Sequence, residues 1–341
     1  MDRHSPTAHS AYHDLRRLLL DDAASALRGT PTRVERAGRA YWYDTYRVGT
    51  DVRKRYLGEA TTALNERLER HAALSEAREE RRKQRTRLVR LLRSEGMASV
   101  DAGTGGLLNA MATAGVFRLG GTIVGTVAFQ LYEGELGLRL GVDDAARTAD
   151  LDIASFERLS LVLAEQEQAD PPIETVLSEF RFEAVPSLER GKVWRWQQAK
   201  AEALVEFLTP SFEDDEGLRD LPALGVTAQS LHFLNFLIAA PIQAVALYRS
   251  GVLVQIPRPE AFAIHKLIVA DRRREGADSL KAEKDRRQAA LLIRVLAEDR
   301  PDELAEALED ARERGPGWRR RLDSTLARLP ETARILATLP S

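Results

Sequence analysis

The sequence contains two short stretches that decide its fold, GVFRLGGT at residues 115–122 and TADLDI at residues 148–153. In the first, the apolar run 116–119 predicts a buried strand, the glycines predict a turn, and residues 122–131 predict a helix. The second stretch predicts another strand. Because side chains alternate along a strand, its two aspartates share one face. Strand, glycine turn, helix and strand in this order predict an α+β core.

The glycine turn and the two aspartates, Asp150 and Asp152, have the chemistry of a nucleotide and metal site. Glycines let the backbone approach a polyphosphate closely, and the start of a helix offers unpaired amide N–H groups to it. Two carboxylates on one face of a strand supply the oxygen ligands that Mg²⁺ prefers. An edge strand with an acidic outer face is the alternative, and the pattern alone leaves both open.

A third carboxylate, Glu206, lies in the apolar run LVEFL at residues 204–208, which predicts a central strand. A carboxylate in such a run needs a partner, because an unpaired buried charge is costly. A divalent metal shared with Asp150 and Asp152 would be such a partner, and three carboxylates can hold two Mg²⁺ ions. An ion pair with an arginine such as Arg195 is the alternative.

Composition excludes several kinds of site and partner. The 341 residues contain no cysteine, which excludes disulfides, thiolate metal sites and cysteine nucleophiles. Lysine plus arginine number 50 and aspartate plus glutamate 52, so the net charge favours neither nucleic acid nor a membrane as partner. Residues 1–13 lack the apolar core of a signal peptide, and the longest apolar stretch, residues 231–247, is interrupted by polar residues. We therefore expect a soluble, cytoplasmic protein.

Changes in composition along the chain predict three parts. Residues 1–96 are expected to form an N-terminal appendage with a small aromatic hairpin at residues 39–57 and a long helix at residues 61–93. Residues 97–256 alternate strand and helix signals and are expected to form the core. Residues 257–341, which begin with Pro-Arg-Pro, are charged and predict a helical C-terminal domain.

The predicted long helix carries a basic run, RRKQRTR at residues 81–87. Such a run could contact a phosphate backbone. Three glutamates precede it at the spacing of helical ion pairs, which favours a solvated, ion-paired helix face instead.

Several pieces of the sequence resemble the polymerase-beta-type nucleotidyltransferase superfamily, first among them FRLGGT at residues 117–122 and DLD at residues 150–152, with the later acid. More narrowly, the chain from residue 41 to about residue 296 is similar to a bacterial family of nucleotidyltransferase-fold proteins. The other matching pieces are YLG (56–58), GGTIVGT (120–126), TADLD (148–152), FLTP (207–210), VQIPRPE (254–260), AIHKL (263–267), KD (284–285) and QA (288–289).

This resemblance implies a polymerase-beta-like mixed sheet core followed by a helical domain. It implies transfer of a nucleoside monophosphate from an NTP to a hydroxyl group, with Mg²⁺ or Mn²⁺ as cofactor. The residues that it assigns to metal binding and catalysis are Asp150, Asp152 and Glu206. The residues that it places against the nucleotide phosphates are Gly120, Gly121, Thr122 and Lys266. At the third acid the family more often has aspartate, so Glu206 is a departure from its pattern.

Two of the basic residues have simpler interpretations. Spacing alone would make Lys266 a surface lysine on an amphipathic helix. Arg147, just before the predicted carboxylate strand, could meet a phosphate or cap the loop.

His265 fits a packed or capping histidine better than a general base, and Lys284 with Asp285 fits a structural ion pair.

The acceptor could be RNA, a protein side chain or a small molecule. One alternative is a nucleotide-binding protein of the same fold with weak catalysis, which the glutamate at position 206 favours. Another is a toxin-type enzyme controlled by a partner protein, as several proteins of this fold are. A homodimer is a further expectation for the assembly, and no membrane partner is expected.

Overall fold

The N-terminal part combines helices with a three-stranded antiparallel sheet in this computed structural model, which describes residues 2–25, 27, 29–36, 38–48, 51–71, 77–141, 150–165, 167–199, 203–212, 215–273 and 279–340. The helices are α1 (Pro6–Ser25), α2 (Thr62–Glu69) and α3 (Arg78–Ser94). The strands, in sheet order, are β1 (Thr30–Arg36), β2 (Arg39–Val48) and β3 (Asp51–Glu59). The predicted hairpin therefore has a third strand.

The predicted helix at residues 61–93 is interrupted at Arg70, which caps α2 with its N–H bonded back to the Arg67 carbonyl, and α3 begins at Arg78. Residues 72–76 lie outside the described residues. Neither glycine nor proline marks the interruption in the sequence. Both helices pack on α1. Arg67, for example, pairs with Asp21 of α1 at 3.1 Å.

The basic run of α3 forms ion pairs, but only some of them are with the glutamates of its own helix, and Arg81 is buried rather than solvated. Arg81 and Arg85 both pair with Asp22 of α1, at 2.7 Å and 2.8 Å. Arg82 pairs with Glu79 on its own helix at 2.9 Å. Two of these arginines therefore face the neighbouring helix.

A seven-stranded mixed sheet lies at the centre of the chain. Its main path runs β4–β5–β8–β10–β9, in which β5 and β10 are parallel to β8, while β4 and β9 are antiparallel to their neighbours. A hairpin, β6–β7, joins β8 through β7. The elements of this part are α4 (Ala102–Ala114), β4 (Thr122–Val124), α5 (Gly125–Leu136), β5 (Leu151–Ala154), α6 (Glu157–Ala164), α7 (Ile173–Glu179), β6 (Phe182–Ala184), β7 (Arg195–Gln198), β8 (Leu204–Pro210), β9 (Leu218–Leu221), β10 (Val226–Leu231), α8 (Leu234–Leu237), β11 (Ile242–Ala246) and β12 (Val252–Ile256).

The prediction of a strand at residues 116–119 is wrong. Helix α4 ends at Gly115, which has φ of 91°, and the chain then makes turns as far as Gly120. These turns satisfy their own amides, since the Val116 N–H bonds to the Met111 carbonyl and the Leu119 N–H to the Gly115 carbonyl. The apolar side chains are buried without strand pairing. The first strand of the central sheet is instead the triplet Thr122–Val124, and the following helix begins at Gly125 rather than at residue 122.

The C-terminal part is helical, as predicted. Its helices are α9 (Pro259–Arg272), α10 (Ser279–Asp299), α11 (Pro301–Glu313), α12 (Pro316–Leu326) and α13 (Pro330–Ala337). Four of them begin at a proline, whose fixed φ suits the first helical position and whose missing N–H costs nothing there.

One hydrophobic core joins the central sheet to the C-terminal helices, and Ile153, Phe262, Leu292 and Leu322 all belong to it. The division into parts at residues 96/97 and 256/257 stays a prediction. Among the described residues, no helix is both long enough and apolar enough to cross a membrane.

Candidate functional site

Three charged side chains lie at paired positions on adjacent strands of the central sheet. Asp152 of β5 pairs in register with Glu206 of β8, and Glu206 pairs in register with Arg195 of β7. Apolar neighbours on the opposite face, Ile153 and Phe207, are fully buried. Because directly paired residues point to the same face of a sheet, the register places the two carboxylates and the guanidinium side by side.

Glu206 and Arg195 form an ion pair. Arg195 Nε lies 2.6 Å from Glu206 Oε1, and the Arg195 guanidinium also lies over the Trp194 ring at 4.4 Å from its centroid. The arginine alternative for Glu206 is therefore present in the structure. It coexists with the predicted proximity of Glu206 to Asp152.

Asp150 lies just before β5 and ties this strand to the start of β8. Its Oδ1 accepts a hydrogen bond from the Leu204 N–H at 3.2 Å. The three predicted carboxylates, Asp150, Asp152 and Glu206, are thus brought together at the start of two parallel strands.

The pKa of Asp152 is raised to about 7. Burial is the main cause, and the negative charges of Glu206 and Asp150 act in the same direction. Lys266 and Arg273 act in the opposite direction. When neighbouring carboxylates raise the pKa of a carboxyl group, any added cation stabilises its anionic form.

A glycine at the start of α5 packs against the same aspartate. Gly125 has φ of 68°, and a Cβ added there would overlap Asp152 Oδ2. The next residue, Thr126, accepts a hydrogen bond at its Oγ1 from Lys284 Nζ at 3.0 Å. The first turn of α5, with its unpaired amides, therefore begins beside the carboxylates.

Gly125 and Thr126 belong to the matching piece GGTIVGT, but the sequence analysis assigned the nucleotide contacts to the Gly-Gly-Thr triplet before them. The signal that could identify them is the β-branched triplet of residues 122–124 followed by a second Gly-Thr pair.

The predicted nucleotide-binding residues Gly120 and Gly121 precede β4, and Thr122 is its first residue, so none of the three follows a strand. The Gly121 N–H bonds to the Val116 carbonyl at 2.9 Å. Thr122 is fully buried, and its Oγ1 accepts from Gln255 Nε2 at 2.9 Å. These residues hold the start of β4 in place, and their contact with a nucleotide stays a prediction.

Basic side chains from the C-terminal helices approach the carboxylates. Lys266 of α9 is buried and ion-paired with Asp285 of α10, which also pairs with Arg273 at 2.9 Å. Lys284 precedes Asp285 on α10. Burial lowers the pKa of Lys284, as does the charge of Lys266, whereas Asp285 and Asp150 oppose this effect. Lys266 is therefore not the surface lysine of the simpler interpretation, and Arg147 lies outside the described residues.

His265 lies next to this cluster and is buried, as expected for a packed histidine. Burial, together with the positive charge of Lys266, lowers its pKa to about 3. At neutral pH the imidazole is therefore neutral.

We expect His265 to make the protein less stable in acid. Its folded-state pKa lies below its unfolded value, so the unfolded chain takes up a proton first and stability falls as pH drops below about 6.5. Between about pH 7.5 and 5, the free energy of unfolding of the wild type should fall by about 2 kcal/mol more than that of His265→Gln. Urea unfolding at both pH values measures this difference, and parallel pH profiles would contradict it.

The donor chemistry of the three carboxylates fits a hard divalent cation. A bound cation would relieve the repulsion that Glu206 and Asp150 exert on Asp152. Their present arrangement is more open than a formed metal site. Among the described residues, no group of three or more His, Cys, Asp or Glu side chains is close enough to hold a metal ion. Glu206 is the residue that would have to turn, from Arg195 toward Asp152.

Comparison with known proteins agrees with this geometry. No curated protein and no solved structure matches the chain. A family described as nucleotidyltransferase matches residues 102–313, a range that contains the central sheet, the three carboxylates, and α9 to α11. Since the match extends over more than half of the 341 residues, the chain belongs to this nucleotidyltransferase family.

Proposed function

We propose that the protein transfers a nucleoside monophosphate from an NTP to a hydroxyl acceptor and releases pyrophosphate. One observation carries this proposal, the side-by-side placement of Asp152 and Glu206 next to the start of α5. A polymerase-beta-like core followed by a helical domain from residue 257 is part of the same proposal.

In this proposal Asp150, Asp152 and Glu206 would hold Mg²⁺ or Mn²⁺. A bound divalent ion supplies activation of the attacking hydroxyl and neutralisation of charge on the phosphates. The carboxylates themselves orient the acceptor side of the site. Rotation of Glu206 away from Arg195 would bring its two oxygens toward Asp152, and the extra methylene of glutamate gives the reach for this movement.

The triphosphate would lie at the first turn of α5. The helix start offers unpaired N–H groups, and Gly125 allows the chain to pass close to Asp152. Lys266 and Lys284 stand on the facing helices, where their charges balance those of the phosphates. Gly120, Gly121 and Thr122 would act by fixing β4, from which α5 starts.

A second candidate function is nucleotide binding with weak transfer. The ion pair between Arg195 and Glu206 favours it, because this pair competes with the metal for the third carboxylate.

Incubation of the purified protein with labelled ATP, CTP, GTP and UTP, Mg²⁺, cell RNA and cell lysate tests the main proposal. Label on RNA, on protein or on a small molecule would identify the acceptor class, and the four reactions would give the base preference. Metal-dependent binding without transfer would support the second candidate. Absence of both would refute the assigned site.

The Arg195→Gln variant should need less Mg²⁺ for nucleotide binding. Removing the guanidinium frees Glu206 and deletes a positive charge next to the metal position, so the half-saturating Mg²⁺ concentration should fall by about threefold to tenfold. Titration of a fluorescent ATP analogue with Mg²⁺ measures this change. Arg190→Gln, an exposed arginine in the same β6–β7 connection, is the matched control and should behave as the wild type. An unchanged Mg²⁺ requirement in Arg195→Gln would show that the ion pair does not compete with metal.

A further inference from the structure

Two histidines on α1 turn the same ring nitrogen toward each other. His9 and His13 are four residues apart and so lie on one face of the helix. Their Nε2 atoms are 3.0 Å apart, and the ring centroids are 4.6 Å apart. The Glu135 carbonyl oxygen, at the end of α5, lies 3.3 Å from His9 Nε2. His9 Nε2 thus lies close to two other atoms that can donate a lone pair, one on α1 and one on α5.

The close approach of the backbone at Gly137 holds this arrangement. Gly137 caps α5 with φ of 63°, and a Cβ added there would lie about 3.0 Å from the His9 ring. His13 is held from the other side by an edge-on contact with the Tyr12 ring, at 5.7 Å between centroids. Both imidazoles are therefore positioned by their surroundings.

The spacing of the two nitrogens matches a pair of metal ligands. Two nitrogens that each lie about 2.1 Å from one ion are about 3.0 Å apart when they form a right angle at it, and about 3.4 Å apart in a tetrahedral arrangement. The observed 3.0 Å fits the right angle, which octahedral and square-planar ions use. Without a metal, only one of the two nitrogens can donate a proton to the other.

We propose that His9, His13 and the Glu135 carbonyl form a transition-metal site, distinct from the carboxylate site, that takes Ni²⁺ or Cu²⁺ with water as the remaining ligands. Imidazole nitrogen suits these ions, whereas Mg²⁺ prefers oxygen. The charges that face the histidines are Arg16, Arg300 and Glu135. The Glu135 carboxylate pairs with both arginines, at 2.8 Å and 3.2 Å, which offsets their repulsion of a cation.

A metal here would pin the N-terminal helix to the end of α5, the helix whose first turn lies at the carboxylates. This inference does not depend on the nucleotidyl-transfer proposal, because it rests on different residues and a different class of metal.

Calorimetric titration of the untagged, EDTA-treated full-length protein with NiCl₂ tests the proposal, with MgCl₂ as a parallel titrant. We expect one equivalent of Ni²⁺ with Kd on the order of 10 µM, a value typical of weak coordination by few ligands. His13→Ala should weaken binding at least tenfold, and His9→Ala/His13→Ala should abolish it. His71→Ala, at another partly buried histidine, is the matched control and should leave it unchanged.

Two further measurements keep the outcome clear. Thermal unfolding in EDTA shows whether each variant is folded, and added Ni²⁺ should raise the Tm of the wild type but not of the double variant. Electron paramagnetic resonance of bound Cu²⁺ should show two nitrogen ligands in the wild type and one in each single variant. The proposal is overturned if the wild type binds no Ni²⁺ below about 1 mM, or if the folded double variant binds it as tightly. If Ni²⁺ binding is retained in the double histidine variant but lost in Asp150→Ala/Asp152→Ala, the Ni²⁺ site lies at the carboxylates instead.

Discussion

Asp152→Asn is expected to reduce nucleotidyl transfer by about three orders of magnitude or more in kcat/KM. The substitution keeps the shape of the side chain but removes the charge that lies between Asp150 and Glu206. Without it the proposed metal site loses its central ligand, and the charge developing on the phosphates is no longer balanced. Transfer of labelled nucleotide to the acceptor, measured at saturating Mg²⁺, gives the effect.

The same change should not harm folding. Because Asp152 carries a raised pKa through burial and repulsion by Glu206 and Asp150, neutralising it should leave stability unchanged or slightly increased. Glu183→Gln is the matched control, an exposed carboxylate on β6 of the same sheet, and should keep full activity. If Asp152→Asn transfers nucleotide at more than about a tenth of the wild-type rate, Asp152 is not a catalytic residue.

We expect Gly125→Ala to be the second most damaging change. The same substitution at a matched glycine, Gly225, separates the effect of backbone conformation from the effect on Asp152. Gly125 and Gly225 have almost the same φ, 68° and 66°. A Cβ at Gly125 would overlap the Asp152 carboxylate, whereas nothing lies within 4 Å of a Cβ at Gly225. Both variants should lose about 1 kcal/mol of stability from the left-handed conformation.

Only Gly125→Ala should also lose activity, by about a hundredfold, because the new methyl group displaces a carboxylate that must be placed within a fraction of an ångström. Urea unfolding and the transfer assay measure the two effects separately. Equal activity in the two alanine variants would mean that the start of α5 does not position Asp152.

The strands that carry the carboxylates could be predicted from sequence, and the short strand that leads into the facing helix could not. In β5 and β8 each acid alternates with large apolar residues, so the pattern gives both the strand and the face of Asp152 and Glu206. Strand β4 has only three residues, which is too short for an alternation to show. The longer apolar run at residues 116–119 gave the stronger strand signal, although its residues are buried in turns.

Long-range pairing explains the remaining differences. The partners of Lys266 depend on the approach of α10 to α9, and those of Arg195 on the register of β7 against β8. Neither is encoded in local periodicity. The sequence could name Arg195 as a partner for Glu206 but could not show that Asp152 would be its neighbour on the other side.

The cluster of cations around Asp152 also orders events during synthesis of the chain. Asp152 is made 114 residues before Lys266, and the ribosome needs roughly 6 to 23 s to cover that interval. Until α9 and α10 emerge, Asp152 lacks the positive charges of Lys266 and Arg273, although Glu206 already has Arg195, and the core lacks Phe262 and Leu292. The nascent chain therefore completes this face of the sheet only after translation has passed residue 285.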